Sequence, residues 1–117
     1  MVVKKWVTIN TQFEGFHHWG DAPDLVAFLR NSHRHIFYVK VYMTVEDEDR
    51  DIEIILAKRY IDKKLSAMKN MIDTEGWSCE RIARELAEDL LASYDSSEIQ
   101  VQVLEDNENG GGYHVCR

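Results

Sequence analysis

The sequence predicts an α+β fold in which antiparallel strands carry two helices on one face of the sheet. Period-two alternation, rich in β-branched residues, appears near both ends of the chain. Between those stretches lie two segments with apolar residues at spacings of three and four. The resulting order, β-β-α-α-β-β, segregates strands from helices, as α+β proteins do.

The first strand spans Lys4 to Phe13, where Val7, Ile9, Thr11 and Phe13 alternate with Trp6, Thr8, Asn10 and Gln12. Residues Glu14 to Asn31 contain Gly15, Gly20 and the single proline, Pro23, and read as a long connection with one helical turn at Asp24–Leu29. The second strand runs from His33 to Val45 and ends at an acidic cluster. A short extra strand is expected over Asp51–Leu56, from the apolar, β-branched run around Ile52, Ile54 and Ile55.

The first helix is expected over Ala57–Met71, continuing its apolar stripe through Tyr60, Ile61, Leu65, Met68 and Ile72. Gly76 breaks it. Ser78 is a fitting N-cap for the second helix, with Glu80 in the first turn and Ile82, Leu86, Leu90 and Leu91 on one side. Asp95–Ser97 is a turn, and the third strand, Glu98–Leu104, sets Ile99, Val101 and Val103 against Gln100, Gln102 and Leu104. Asn109–Gly112 signals a hairpin turn, and Tyr113–Cys116 a last strand.

Length and composition set the class. The chain has 117 residues, which suits a single domain over residues 1–117. No apolar run approaches the roughly 20 residues needed to span a bilayer, and the first residues lack the pattern of a signal peptide. The two cysteines, Cys79 and Cys116, are too few for a disulfide scaffold, so the expectation is a cytoplasmic protein with free thiols and no membrane partner. Twenty-one acids against 14 bases give a net charge of −7, which argues against a nucleic-acid binder. The acids cluster at Glu46–Asp51 and Glu105–Glu108. They read as solvated loops, or as an acidic surface that docks a basic protein or imitates nucleic acid. The chain has no glycine-rich phosphate loop, serine elbow or Cys-x-x-Cys pair.

The strongest chemical signal is His33-Arg34-His35 at the start of the second strand. Alternation projects both imidazoles from one face, about 7 Å apart at the backbone. Two convergent histidines begin a zinc site, and His17 or His18 is the third candidate. Arg34 points to the opposite face. Cys79, near a helix N-terminus, sits where a thiolate is favoured, although an ordinary packed thiol accounts for it as well. Glu105 reads as one more acid in a turn.

Several motifs, in order, resemble the 6-pyruvoyl-tetrahydropterin synthase and 6-carboxy-tetrahydropterin synthase family, which has the tunnelling fold. Phe13-Glu14-Gly15-Phe16-His17 is similar to the family's Phe-x-x-x-His. His33-Arg34-His35, followed by Ile36-Phe37-Tyr38-Val39-Lys40-Val41, resembles its His-Gly-His and the strand after it. Ile52–Leu56 resembles the short strand that leads into the family's first helix, and Trp77-Ser78-Cys79-Glu80-Arg81-Ile82-Ala83 is similar to its Pro-Thr-x-Glu-Asn-Leu-Ala. Val101-Gln102-Val103-Leu104-Glu105 resembles Val-x-Val-x-Glu, and Tyr113 follows as the family's tyrosine does.

The resemblance covers nearly the whole chain. It implies zinc held by His17, His33 and His35, a pterin anchored by Glu105, lyase-type chemistry and a homo-oligomer (hexamer or trimer) whose subunits close a barrel. The chain departs from the family at the catalytic groups. Ala27–Ser32 holds no cysteine before the histidine pair, Met68–Gly76 holds no histidine, and Asp73 is the one comparable group there. The expectation is therefore a divergent member that acts on or binds a pterin or purine-derived small molecule, or a catalytically inactive relative.

Overall fold

Burial of one face of each strand against one stripe of each helix organises the molecule. The computed structural model describes all 117 residues. Four antiparallel strands form one sheet in the order β1 (Lys5–His17), β2 (His33–Val45), β3 (Glu98–Glu105), β4 (Asn109–Cys116). Two helices, α1 (Ile54–Glu75) and α2 (Cys79–Ser93), are inserted between β2 and β3. α1 lies on β1, and α2 lies on β3 and β4. The architecture is α+β with both main helices on one face, as the pattern predicts. No helix is long and apolar enough to cross a membrane.

The inward residues of the sheet include Ile9, Phe37, Val39, Val41, Met43, Ile99, Val101 and Val103. They meet Ala57, Ile61, Leu65 and Ile72 of α1 and Ile82, Ala83, Leu86, Ala87 and Leu90 of α2. Each fully buried side chain of Leu or Ile size contributes ~1.5–3 kcal/mol, so this sandwich holds the fold and the loops do not.

α1 ends at Gly76, whose φ of +67° puts it in the left-handed region while its N–H reaches Ile72 O at 3.0 Å. Ser78 caps α2 as expected, its Oγ accepting from the Arg81 N–H at 3.1 Å.

Four expectations are corrected. The break expected over Asp73–Trp77 is shorter, because α1 continues through Glu75 and ends only at Gly76. The extra strand over Asp51–Leu56 does not form: Ile54 to Leu56 are the first turn of α1. Glu53 decides this, because its carboxylate accepts from the N–H groups of Ile55 and Leu56. Ile54, Ile55 and Leu56 are left exposed, and only Ile52 of the run is buried. The hairpin turn lies at Asp106–Glu108, one step before the glycines. Asp106 and Asn107 take φ of +52° and +60°, a conformation their short polar side chains tolerate. Gly110–Gly112 belong to β4, where an added Cβ at Gly110 would lie 1.8 Å from Val103 O. The first strand also runs on past Phe13 to His17, and this extension builds the site below.

Candidate metal centre

β1 and β2 outrun the rest of the sheet. β3 pairs with β2 only from Phe37 onward, so the segment His33–Ile36 and its partners Glu14–His17 form a two-stranded arm. Successive inward rows run from Phe13 with Phe37 at the base of this arm to Gly15 with His35 and His17 with His33 on it. Glu105, at the end of β3, pairs with Phe37. Three histidines and one glutamate therefore converge past the edge of the apolar core.

Gly15 makes the rows compatible. A Cβ there would sit 2.9 Å from Phe37 Cε2. Its absence admits the Phe37 ring, which stacks on Phe13 at 5.1 Å and meets the rings of His17 and His35 edge-on at 5.4 and 6.0 Å. Phe37 is the apolar floor of the cluster.

One ligand atom from each of His17, His33, His35 and Glu105 lies within 4.8 Å of the others. Ring centroids of the three histidines are 4.5 to 5.0 Å apart. Each Nδ1 faces an oxygen: His17 toward Trp77 O at 3.3 Å, His33 toward Asn31 O at 2.8 Å and His35 toward Asp106 Oδ2 at 2.7 Å. A carbonyl oxygen only accepts, so Nδ1 of His17 and His33 carries the proton and Nε2 is left for other use. Metal-ligating histidines show this arrangement. His33 Nε2 is buried with no hydrogen-bond partner. Nε2 of His35 and His17 lie 2.7 and 3.2 Å from Glu105 Oε2.

Burial pushes the His17 pKa below its ordinary value, against the opposing pull of Glu105. The neutral ring that results is the form that ligates metal. Asp106 is held below the usual carboxylate range by its bond to His35, then by the Ile36 N–H. Three imidazoles and a carboxylate suit zinc by donor type, and three histidines with one open position form a known catalytic zinc arrangement.

A cleft of about 470 Å³ adjoins the cluster, lined in part by His17, His33, Cys79, Glu80, Glu105 and Gly110. A larger groove of about 780 Å³ runs between β1 and α1, but its charged residues Glu14, Lys58, Asp62 and Lys69 already pair with one another or with neighbours. Chemistry concentrates in the smaller cleft.

The predicted residues fall as follows. His17 joins His33 and His35, while His18 lines the cleft wall with its carbonyl against Gly76. Glu105 stands among the imidazoles, not apart from them. Arg34 points outward and pairs with Glu14 at 2.9 Å. Cys79 is a thiol: burial first, then the Glu105 charge, pushes its pKa up to about 12, and Sγ–H donates to Glu105 Oε1 at 3.8 Å. Those effects outweigh the helix N-terminus. Asp73 accepts from the Phe16 N–H and from Lys69, so it fastens β1 to α1.

In the first acidic cluster, Asp51 and Asp47 accept from the N–H groups of Glu46 and Asp49 and so shape their own loop. Sequence reasoning missed Asp106, Trp77 O and Asn31 O as the groups that orient the histidines. Asp106 looked like one more loop acid, and a backbone carbonyl leaves no signal in residue type.

Comparison with protein-family models gives no match, and comparison with curated proteins gives none.

Proposed function

We propose that this chain is a divergent zinc-binding, tunnelling-fold protein of the 6-pyruvoyl-tetrahydropterin synthase type that binds a pterin or a related purine-derived molecule. One observation carries the reading: three imidazoles converge with each Nδ1 on an oxygen, and the buried His33 Nε2 has no partner. A buried polar atom without a partner is costly, and a cation bound there supplies one. His17, His33 and His35 would hold zinc, which when bound supplies Lewis acidity toward a carbonyl or hydroxyl oxygen.

The protein's own groups shape the rest. Glu105 lines the cleft, and its carboxylate can accept two N–H bonds from an aminopyrimidine edge. A cleft near 470 Å³ falls in the size range of small-molecule sites. The outer edges of β1 and β4 pair with no strand of the chain, which supports a homo-oligomer in which subunit edges join.

Within this reading, the fastening role of Asp73 and the high pKa of Cys79 favour a relative that keeps the binding site without the parent proton-transfer chemistry. A misplaced or missing proton-transfer group costs ~10²–10⁴ in rate.

Metal content of the purified protein, beside His33→Ala/His35→Ala, tests the site. The variant should hold one zinc fewer per chain than the wild type. Equal zinc content in both proteins rejects the centre. Zinc-loaded protein should then bind neopterin or dihydroneopterin triphosphate. No binding at high micromolar ligand rejects the pterin reading, and turnover abolished by His35→Ala rejects the inactive one.

A further inference from the structure

A second group of metal-ligating side chains lies at the far end of the sheet. Glu98 opens β3, and Cys116 of β4 is its direct cross-strand partner. His114 stands two residues before Cys116, so alternation puts both side chains on the same, helix-free face. Glu98 Oε1 is 2.7 Å from His114 Nε2, and Cys116 Sγ is 3.8 Å from the same nitrogen. One oxygen, one nitrogen and one sulfur thus lie within 4.8 Å of one another. Glu105 of the histidine cluster sits at the opposite end of the same strand, roughly 23 Å away at 3.3 Å per residue.

The backbone holds these donors in place. The Glu98 N–H donates to Thr44 Oγ1 at 3.0 Å, and Glu98 O accepts from Ser96 Oγ at 3.0 Å. Thr44 and Ser96 are the two buried polar residues of the molecule. Beyond Cys116, the Arg117 N–H donates to Ser97 O at 2.8 Å, and its guanidinium donates to Ser96 O and Tyr94 O at 2.9 and 3.1 Å. Cys116 is therefore set between the β3 ladder and this clamp. Donors positioned on rigid elements lose little freedom on taking an ion.

Donor chemistry selects the ion. Carboxylate, imidazole and thiolate together suit zinc-class metals and not magnesium or calcium, which take oxygen ligands. Two anionic donors balance a divalent charge, and three protein donors leave one tetrahedral position for water. Lys4 Nζ holds the other carboxylate oxygen of Glu98 at 2.9 Å, which leaves Oε1 turned toward His114. His114 and Cys116 are exposed, so an ion reaches them without any opening of the fold.

We propose that Glu98, His114 and Cys116 form a second, surface site for a zinc-class divalent cation, independent of the histidine cluster.

Cobalt(II) is the probe, because a thiolate ligand gives a near-ultraviolet charge-transfer band that imidazole and carboxylate lack. The experiment uses the full chain carrying His33→Ala/His35→Ala, under anaerobic, reducing conditions. This protein should bind about one cobalt per chain and show the band. Cys116→Ser added to it should abolish the band, and Cys79→Ser should leave it. Absence of the band from the double histidine variant overturns the proposal, because Glu98, His114 and Cys116 are then an ion pair beside a free thiol. A band that survives Cys116→Ser and is lost with Cys79→Ser overturns it as well. Should the histidine variant fail to fold, Cys116→Ser in the otherwise native chain should lower bound cobalt by about one per chain. Equal cobalt content there overturns the proposal whatever the histidine cluster binds.

Discussion

His17 and His33 are direct cross-strand partners on β1 and β2, with imidazole centroids 4.5 Å apart and ring planes at 72°. This edge-on pairing brings the two rings together without stacking them. It depends on β1 continuing to His17, four residues past the point where its alternation of apolar residues fades. Trp77 O at the α1–α2 junction and Asn31 O before β2 then fix the two ring orientations.

The His35–Asp106 bond predicts a loss of metal affinity without a loss of fold. Asp106→Asn should weaken zinc binding about 10- to 100-fold, because the ring loses the carboxylate that orients it. Asparagine still accepts from the Ile36 N–H and tolerates the positive φ at this position, so thermal stability without metal should be nearly unchanged. Competition against a chromophoric chelator measures the affinity. Unchanged affinity would show that Asp106 does not orient His35.

His17 predicts a pH dependence of stability in the metal-free protein. Its folded pKa lies below the ordinary value of 6.5, mainly through burial. As pH falls below 6.5 the unfolded chain takes up a proton here that the folded chain refuses. Stability should therefore be complete above that pH and decline as pH drops toward the folded value. Denaturant midpoints of wild type and His17→Gln between pH 7 and 5 check this (~1–2 units spanning the ordinary histidine range). The wild type should lose more stability over that interval, and parallel curves would disprove the assignment.

Gly76 predicts a backbone cost. A Cβ at this position would stand 2.3 Å from His18 O, and φ is already +67°. Gly76→Ala should destabilise the protein by at least ~1 kcal/mol, through the left-handed backbone and the contact together. In a chain of this size that is a fall in Tm of several degrees, read by calorimetry. An unchanged Tm would mean that the α1–α2 junction rearranges freely.

Which elements exist was legible in the sequence, because periodicity records which face of each segment is buried. Four strands and two helices follow from it with the right type and order, and Ser78 marks the start of α2 by its cap chemistry. The misreadings have local causes. Ile52–Leu56 has the composition of a strand, but Glu53 captures two N–H groups and starts a helix there. Gly110–Gly112 look like a turn, but they lie in β4, where a Cβ at Gly110 or Gly112 would meet the β3 backbone, 1.8 Å from Val103 O and 2.9 Å from Val101 O.

By itself the sequence determined the α+β class, the buried faces and the shared face of His33 and His35, since each follows from spacing within one segment. Only the tertiary structure decided that His17 and not His18 faces them, that Glu105 and Asp106 meet the same rings, and that Glu98 meets His114 and Cys116. Those meetings depend on strand register and on hairpin geometry, and a slip of one residue would turn each of these side chains to the other face. Register is a property of paired strands, so no single segment of the chain carries it.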